Sequence, residues 1–314
     1  MAFPDSPQIP GSGVGVQISP NNLYYDRQFL DRLMLTMVFD QLCEKKKMPA
    51  RSGNTVTWTR YNQLAANVNP LTPGTIPTAT NLSALQIVAT PLQYGDFVTL
   101  SDAIELKAID PVVEAAQELL AYRASLSIDT LIRNALHGNV TTQYASGAVS
   151  ESAVTAVVAA ADIRKAAKTL KVVGTRPFDT DYRSVVATAT AYDLMSETAV
   201  GGFIDINKYT DKMPMLKGEI GKLWGVRFIE SNNAQTGLNG AGAITYRNYI
   251  VGRGAIGIVD LAGNSSVKTF RKPLGSAGSA DPIDQISTVG EKFWMVTSVL
   301  DPVRAIELVG VSNF

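Results

Sequence analysis

Between Met48 and Leu106 the chain has no lysine, and its acids, Asp96, Asp102 and Glu105, all fall near the end of that stretch. No helical periodicity runs through its first part. In Thr55-Val56-Thr57-Trp58-Thr59-Arg60-Tyr61, β-branched and aromatic residues dominate, and period two is the natural reading. Further extended runs are predicted at 85–88 and, after Pro91, at 97–100. Residues 62–84 hold Pro70, Pro73, Gly74 and Pro77. So long a connection without structure of its own is unusual inside a compact domain and tends to be functional. The stretch therefore reads as a two-stranded projection. An isolated hairpin is marginal in water, so a projection of this kind calls for a partner. Trp, Tyr and Arg are enriched at interface hot spots. With little core expected beneath the projection, Trp58, Arg60 and Tyr61 are predicted subunit contacts.

The flanking sequence supplies the body of the fold. Residues 1–21, with their prolines, serines and glycines, read as an extended arm. An amphipathic helix is expected over 23–47, with Leu30, Leu33, Met34, Met37, Val38 and Leu42 on one face and Lys45, Lys46 and Lys47 in its last turn. Tyr24-Tyr25, before Asp26-Arg27, reads either as a contact patch at the base of the arm or as core packing of the helix start. A long helix follows. Asp110 suits its cap, Pro111 its first turn and Gly138 the position after its end. Its stripe runs through Val113, Ala116, Leu119, Leu120, Ala124, Ile128, Leu131, Ile132 and Ala135, and about twenty-seven residues span about 40 Å. The chain's sole histidine, His137, falls in the final turn, where it complements the helix dipole. A third helix is predicted over 154–170 and a fourth over 191–198. Strands are predicted over 184–190, 221–231, 244–252 and 255–261, with two more in 285–311 around Asp301-Pro302. Of the first of these last two, Phe293, Met295 and Thr297 share one face and Trp294 and Val296 the other. The fold class is mixed α+β.

Composition closes several functional classes. The 314 residues are enough to bury about three-quarters of the unfolded surface. Twenty-eight basic residues balance twenty-eight acidic ones, which disfavours a dedicated nucleic-acid binder. One cysteine, Cys43, permits no internal disulfide and no thiolate cage. No signal peptide is read at the start and no apolar run is long enough to span a membrane; the lone cysteine fits expression in a reducing cytoplasm. Gly252-Arg253-Gly254-Ala255-Ile256-Gly257 matches a dinucleotide fingerprint in letter. That chemistry needs a helix opening at the last glycines. Ile258-Val259-Asp260 instead continues as a strand, so two strands joined by a glycine turn are expected. Nucleophile elbows and phosphate-binding loops are absent. Asp179 and Asp181 lie in a loop with Arg176 and Arg183, and together with Asp205 and Asp211 they read as turn and surface residues.

The order of these pieces carries a resemblance. Leu23-Tyr24-Tyr25-Asp26-Arg27 is followed by Thr55 to Tyr61, then by Gln93-Tyr94-Gly95-Asp96 with Ser101-Asp102, Asp110-Pro111 and Tyr249-Ile250-Val251-Gly252. In that order the chain resembles, from about 22 to 311, the major capsid proteins of tailed bacteriophages with the Hong Kong 97-type (HK97-like) fold. The resemblance implies an N-terminal arm with helix (1–48), an extended loop (49–106), a peripheral domain with its spine helix (107–152 and 285–314) and an axial domain (153–284). It implies hexamers and pentamers closing into an icosahedral shell around double-stranded DNA, without sequence-specific binding. Scaffolding and portal partners are implied, with a cement protein as a further partner, and assembly in the host cytoplasm. A bacterial encapsulating compartment is the alternative within the same fold, and a nucleotide-binding enzyme using 252–257 the alternative outside it. No catalytic residue, metal or cofactor is implied. The interface candidates are Tyr24, Tyr25, Arg27, Trp58, Arg60, Tyr61 and Tyr94. Some members lock their shells by bonding a loop lysine to a neighbouring asparagine. Here 48–106 offers no lysine, so that bond is not available from the loop.

Overall fold

The computed structural model describes residues 37–48, 53–107, 112–198, 202, 221–261, 267–276 and 281–313. Tyr24, Tyr25, Arg27, the Asp110-Pro111 cap, Asp205 and Asp211 lie outside them, as do the arm and the first part of the helix expected over 23–47.

Two sheets and a two-stranded ribbon organise the described chain. The larger sheet has the order β5 (Thr141–Tyr144), β14 (Ala305–Val311), β10 (Ile244–Val251), β6 (Tyr182–Ala187), β8 (Val226–Ser231) and β7 (Lys222–Leu223), with β9 (Thr236–Leu238) also on β10. β14 is buried at every residue, because both faces of its sheet are covered. On one face lie Ile163, Ala166 and Leu170 of α3 (Ala160–Val172) and Ala191 and Leu194 of α4 (Thr188–Ser196), against Val186, Ile250, Ile306 and Leu308. On the other, Ile132 and Leu136 of α2 (Val112–Leu136) meet Val185, Tyr249, Val251 and Ala305.

The second sheet is built on β13 (Ile286–Val299). β4 (Leu92–Ser101) pairs with it along one side, and β11 (Ile256–Leu261) and β12 (Lys268–Lys272) also pair with it; β1 (Glu44–Met48) adds in parallel to β11. Strand β13 alternates as expected, with Phe293 and Met295 buried and Trp294 and Val296 half-buried. The long helix forms as predicted, and Gly138 takes φ 72° just beyond it, the left-handed conformation glycine supplies at a helix end. Leu100 of β4 and Val289 of β13 receive its Ala116 and Leu120, and α1 (Asp102–Lys107) directly follows β4.

Three expectations are corrected. The helix over 23–47 does not reach 47: a single 3-10 turn, Phe39–Leu42, gives way to strand β1, which carries Lys45, Lys46 and Lys47 exposed along the sheet's rim. Tertiary contacts override the local pattern. The Asp129 carboxylate of α2, itself buried, accepts the N–H groups of Val38 and Phe39 at 2.9 Å each, and Phe39 and Leu42 enter the core. The third helix starts at Ala160, not 154, because Val154 and Val158 are buried in extended chain that bridges to β14 at Val311, with Gly310 leaving room for Val158. The strand expected over 221–231 is two strands, split by a turn in which Trp224 and Gly225 take φ 53° and 78°.

Candidate assembly interface

The projection exists. β2 (Val56–Tyr61) and β3 (Ala84–Ala89) pair antiparallel from Val56↔Ala89 to Tyr61↔Ala84 and contact no third strand in their ladder. Between them, 62–83 is exposed throughout and carries no helix or strand. At its tip Thr72-Pro73-Gly74-Thr75 closes a turn, with Thr75 N–H donating to the Thr72 carbonyl at 3.3 Å and Gly74 at φ 84°. Proline followed by a left-handed glycine is the chemistry of a type II turn.

The root of the projection is not bare. Trp58 packs with Met48, Val56, Val259 and Val296 in a small core of its own. Its indole lies over Gly257, where a Cβ would stand 3.1 Å from Trp58 Cζ2. Arg60 reaches Asp301 Oδ2 at 2.6 Å, and Arg304 Nε meets the same oxygen at 2.9 Å. The premise that the projection has little core to receive these residues is thus corrected: both anchor it to its own chain. Tyr61, at the far end of β2, is 64% exposed. Tyr94 stacks on Phe293 with ring centroids 5.6 Å apart. The described candidates are therefore spread along the projection and β4 rather than gathered at one point.

The fingerprint glycines have structural reasons. Val251 ends β10, Gly252 to Ala255 turn, and Ile256 opens β11, so strand follows strand where the nucleotide fold needs a helix. A Cβ on Gly252 would meet Thr175 Cγ2 at 2.2 Å; Gly254 sits at φ 76°. Gly257 makes way for Trp58. The nucleotide reading of 252–257 is overturned by this geometry.

Titratable groups are tied into the framework. Glu307, 1% exposed on β14, gathers His137 Nδ1 at 3.0 Å, Arg247 Nη1 at 3.2 Å and the Tyr249 hydroxyl at 3.3 Å. Arg247 also bonds Glu151 at 2.6 Å. Burial and the Glu307 carboxylate push the Tyr249 phenol up. The Lys222 ammonium bonded to Asp181 holds that carboxyl below its usual range, and Asp179 pairs loosely with Arg183. Among the described residues no group of three or more metal-ligating side chains forms, and no helix is long and apolar enough to cross a membrane.

Glu291, like Glu307 and Asp129, is a buried acid that the sequence did not single out. It lies on the α2 face of β13, opposite Asp96 of β4, which bonds Arg123 of α2. Its Oε2 has no hydrogen-bond partner, and burial pushes its carboxyl up against the opposing pull of Arg123. A raised folded-state pKa means that stability is lost as pH rises past the unfolded value. Glu291→Gln is therefore expected to raise the melting temperature at pH 8 and to leave it unchanged below about pH 4, where the acid is protonated in both states. Equal melting shifts at both pH values would refute this.

The opposite face of the same sheet is open. Phe97, Gly290 and Phe270 stand side by side across β4, β13 and β12. Together with Lys272 and Lys292 they line a groove of about 730 Å³.

With this geometry in view, the chain can be compared with known proteins. No protein-family model matches the sequence, and no curated protein matches it. Solved structures do. The capsid structure of the cyanophage P-SCSP1u aligns over 98% of this chain and 97% of its own, at 16% identity and a TM-score of 0.70. The head structure of Helicobacter pylori bacteriophage KHP40 covers 95% and 98%, at 13% identity and a TM-score of 0.72. The capsid of Ralstonia phage GP4 covers 98% and 99%, at 12% identity and a TM-score of 0.71. The fold of this chain, mixed helix and sheet along nearly its whole length, is the fold found in phage capsids.

Proposed function

We propose that this chain is the major capsid protein of a tailed bacteriophage, built on the Hong Kong 97-type fold and working through its surfaces rather than through a catalytic site. The carrying observation is the end-to-end likeness to phage capsid structures, 98% of this chain against 97% of the first. The projection supports it, because a long, uncharged, unpartnered loop on an otherwise well-packed chain is surface kept for another copy.

On this reading 1–48 is the arm, 49–106 the extended loop, 107–152 with 285–314 the peripheral domain around α2, and 153–284 the axial domain around the larger sheet. Copies gather as hexamers and pentamers and close into a shell around DNA in the virion, after assembly in the host cytoplasm with scaffolding and portal proteins and, where the shell needs it, a cement protein. Tyr61 and Tyr94, with Tyr24, Tyr25 and Arg27, are its subunit-contact residues. Trp58 and Arg60 act one step back, by holding the projection in place.

The test is negative-stain microscopy and sedimentation of the purified chain, alone and co-expressed with a scaffold. Closed shells or rings of subunits are expected. Because 48–106 has no lysine, denaturing electrophoresis of those particles is expected to give one band at 33.6 kDa. A monomer that persists with scaffold present overturns the reading.

A further inference from the structure

The zero net charge of the chain hides a local surplus on α3. Arg164, Lys165, Lys168 and Lys171 are all exposed. At the helical period they fall on one side of α3, opposite the buried Ile163, Ala166, Ala167 and Leu170. From Arg164 to Lys171 the stripe runs about 10 Å along the helix axis. The one acid of α3, Asp162, is buried, and its carboxylate accepts the N–H groups of Ser146 and Ala159. Among the described residues, no carboxylate pairs with any of the four cations.

Trp224 flanks the stripe. The Arg164 guanidinium lies 5.3 Å from the centre of its ring. Trp224 sits in the turn between β7 and β8 at φ 53°, a left-handed conformation that costs a tryptophan strain energy. Leu223 and Val226, on either side of the turn, are buried in the same core as α3, so the ring is fixed relative to the helix. A seat for another protein is depleted of charge at its centre and built on apolar anchors. α3 reverses that pattern, since its only large exposed apolar side chain is Val172, at its very end. Duplex DNA is the complement. It carries about one negative charge per 1.7 Å of axis, and its phosphates are held by Lys and Arg with no apolar core beneath them.

We infer that the α3 stripe of Arg164, Lys165, Lys168 and Lys171, flanked by Trp224, binds the phosphate backbone of duplex DNA without reading its sequence. Four charges per copy make each contact weak, and contacts to phosphate alone let DNA slide along the surface that holds it. The inference rests on the shell reading, which brings DNA to this chain, and adds to it the surface that the DNA meets.

Fluorescence anisotropy of a short labelled DNA duplex of mixed sequence, titrated with the full-length chain below its assembly concentration, reads the binding. Between about 50 and about 200 mM salt, log affinity is expected to fall against log salt with a slope of about −3 to −4, as counterion release from about four phosphates requires. The combined variant Arg164→Gln, Lys165→Gln, Lys168→Gln and Lys171→Gln keeps good helix formers at exposed positions. It is expected to lose about 3 of that slope, and Lys168→Gln with Lys171→Gln alone about 2. Taking the same charge from elsewhere, by Lys107→Gln, Lys268→Gln, Lys272→Gln and Lys292→Gln, is expected to leave the slope unchanged. No binding at the lower salt, a slope that survives the α3 changes, or an equal fall in the control set overturns the inference whether or not shells form. Tighter binding of polyglutamate than of the duplex assigns the stripe to an acidic protein and overturns it as well. A chain that binds DNA through α3 but forms no shells with scaffold present overturns the shell reading alone.

Discussion

Glu307→Ala is expected to cost about 3–5 kcal/mol of stability, the penalty for breaking a buried ion pair by removing one partner. Urea unfolding of the full chain measures it as a fall in the midpoint. Glu307 sits in the middle of β14, where every neighbour in the strand is apolar or glycine. Its two oxygens collect groups from three elements: His137 and the Gly138 N–H beyond the end of α2, Arg247 and Tyr249 of β10, and Thr142 of β5 at 3.5 Å. Deleting the carboxylate strands the Tyr249 hydroxyl and leaves Arg247, largely buried, with only Glu151. Glu307→Gln keeps acceptor capacity but loses the charge, and is expected to fall between the wild type and alanine. The expected loss is a large share of the total, since whole domains are stable by only about 5–15 kcal/mol. A loss below about 1 kcal/mol would show that the network is a spectator to folding.

How far the sequence discloses this architecture depends on where each element draws its stability. α2 is legible because Ala116, Leu120, Ala124 and Ile132 of its expected stripe are also on the face it buries, which Leu136 completes. The projection is legible because composition alone, without periodicity or charge, already sets 62–83 apart. β1 is not legible, since Glu44-Lys45-Lys46-Lys47 has no apolar alternation and forms a strand only because β11 offers an edge. β12, Lys-Thr-Phe-Arg-Lys, is concealed in the same way. The start of α3 is misread because Val154 and Val158 fit a helical stripe as well as an extended segment, and only Gly310 across the sheet decides between them. For the interface, residue type identified Trp58 and Arg60 as important. Their partners, Val259, Val296 and Asp301, lie more than two hundred residues away in sequence, so no local signal could show that they bind their own chain first. The groove was hidden for a related reason: Phe97, Gly290 and Phe270 become one feature only when three strands are placed in register.

Trp58→Ala is expected to destabilise the chain by about 2–4 kcal/mol, near the lower end of large-to-alanine losses because the indole is only half-buried. The lost packing is specific: the indole closes the cluster of Met48, Val56, Val259 and Val296, and it covers the backbone of β11 at Gly257. The loss acts where β2 packs on β11 and β13, so the projection should loosen at its root while α2 and the larger sheet keep their packing. Limited proteolysis reads this locally, with faster cleavage within 48–60 and little change elsewhere. Arg60→Ala adds to it by releasing Asp301, although Arg304 still holds that carboxylate at 2.9 Å, so its separate effect is smaller. Assembly should fail in Trp58→Ala in proportion to the lost stability, and Trp58→Phe, which keeps most of the apolar contact, should restore both together. A variant that unfolds at the wild-type midpoint yet forms no particles would reverse the assignment. Trp58 would then act across the subunit boundary, and the cluster at the root of the projection would hold together without it.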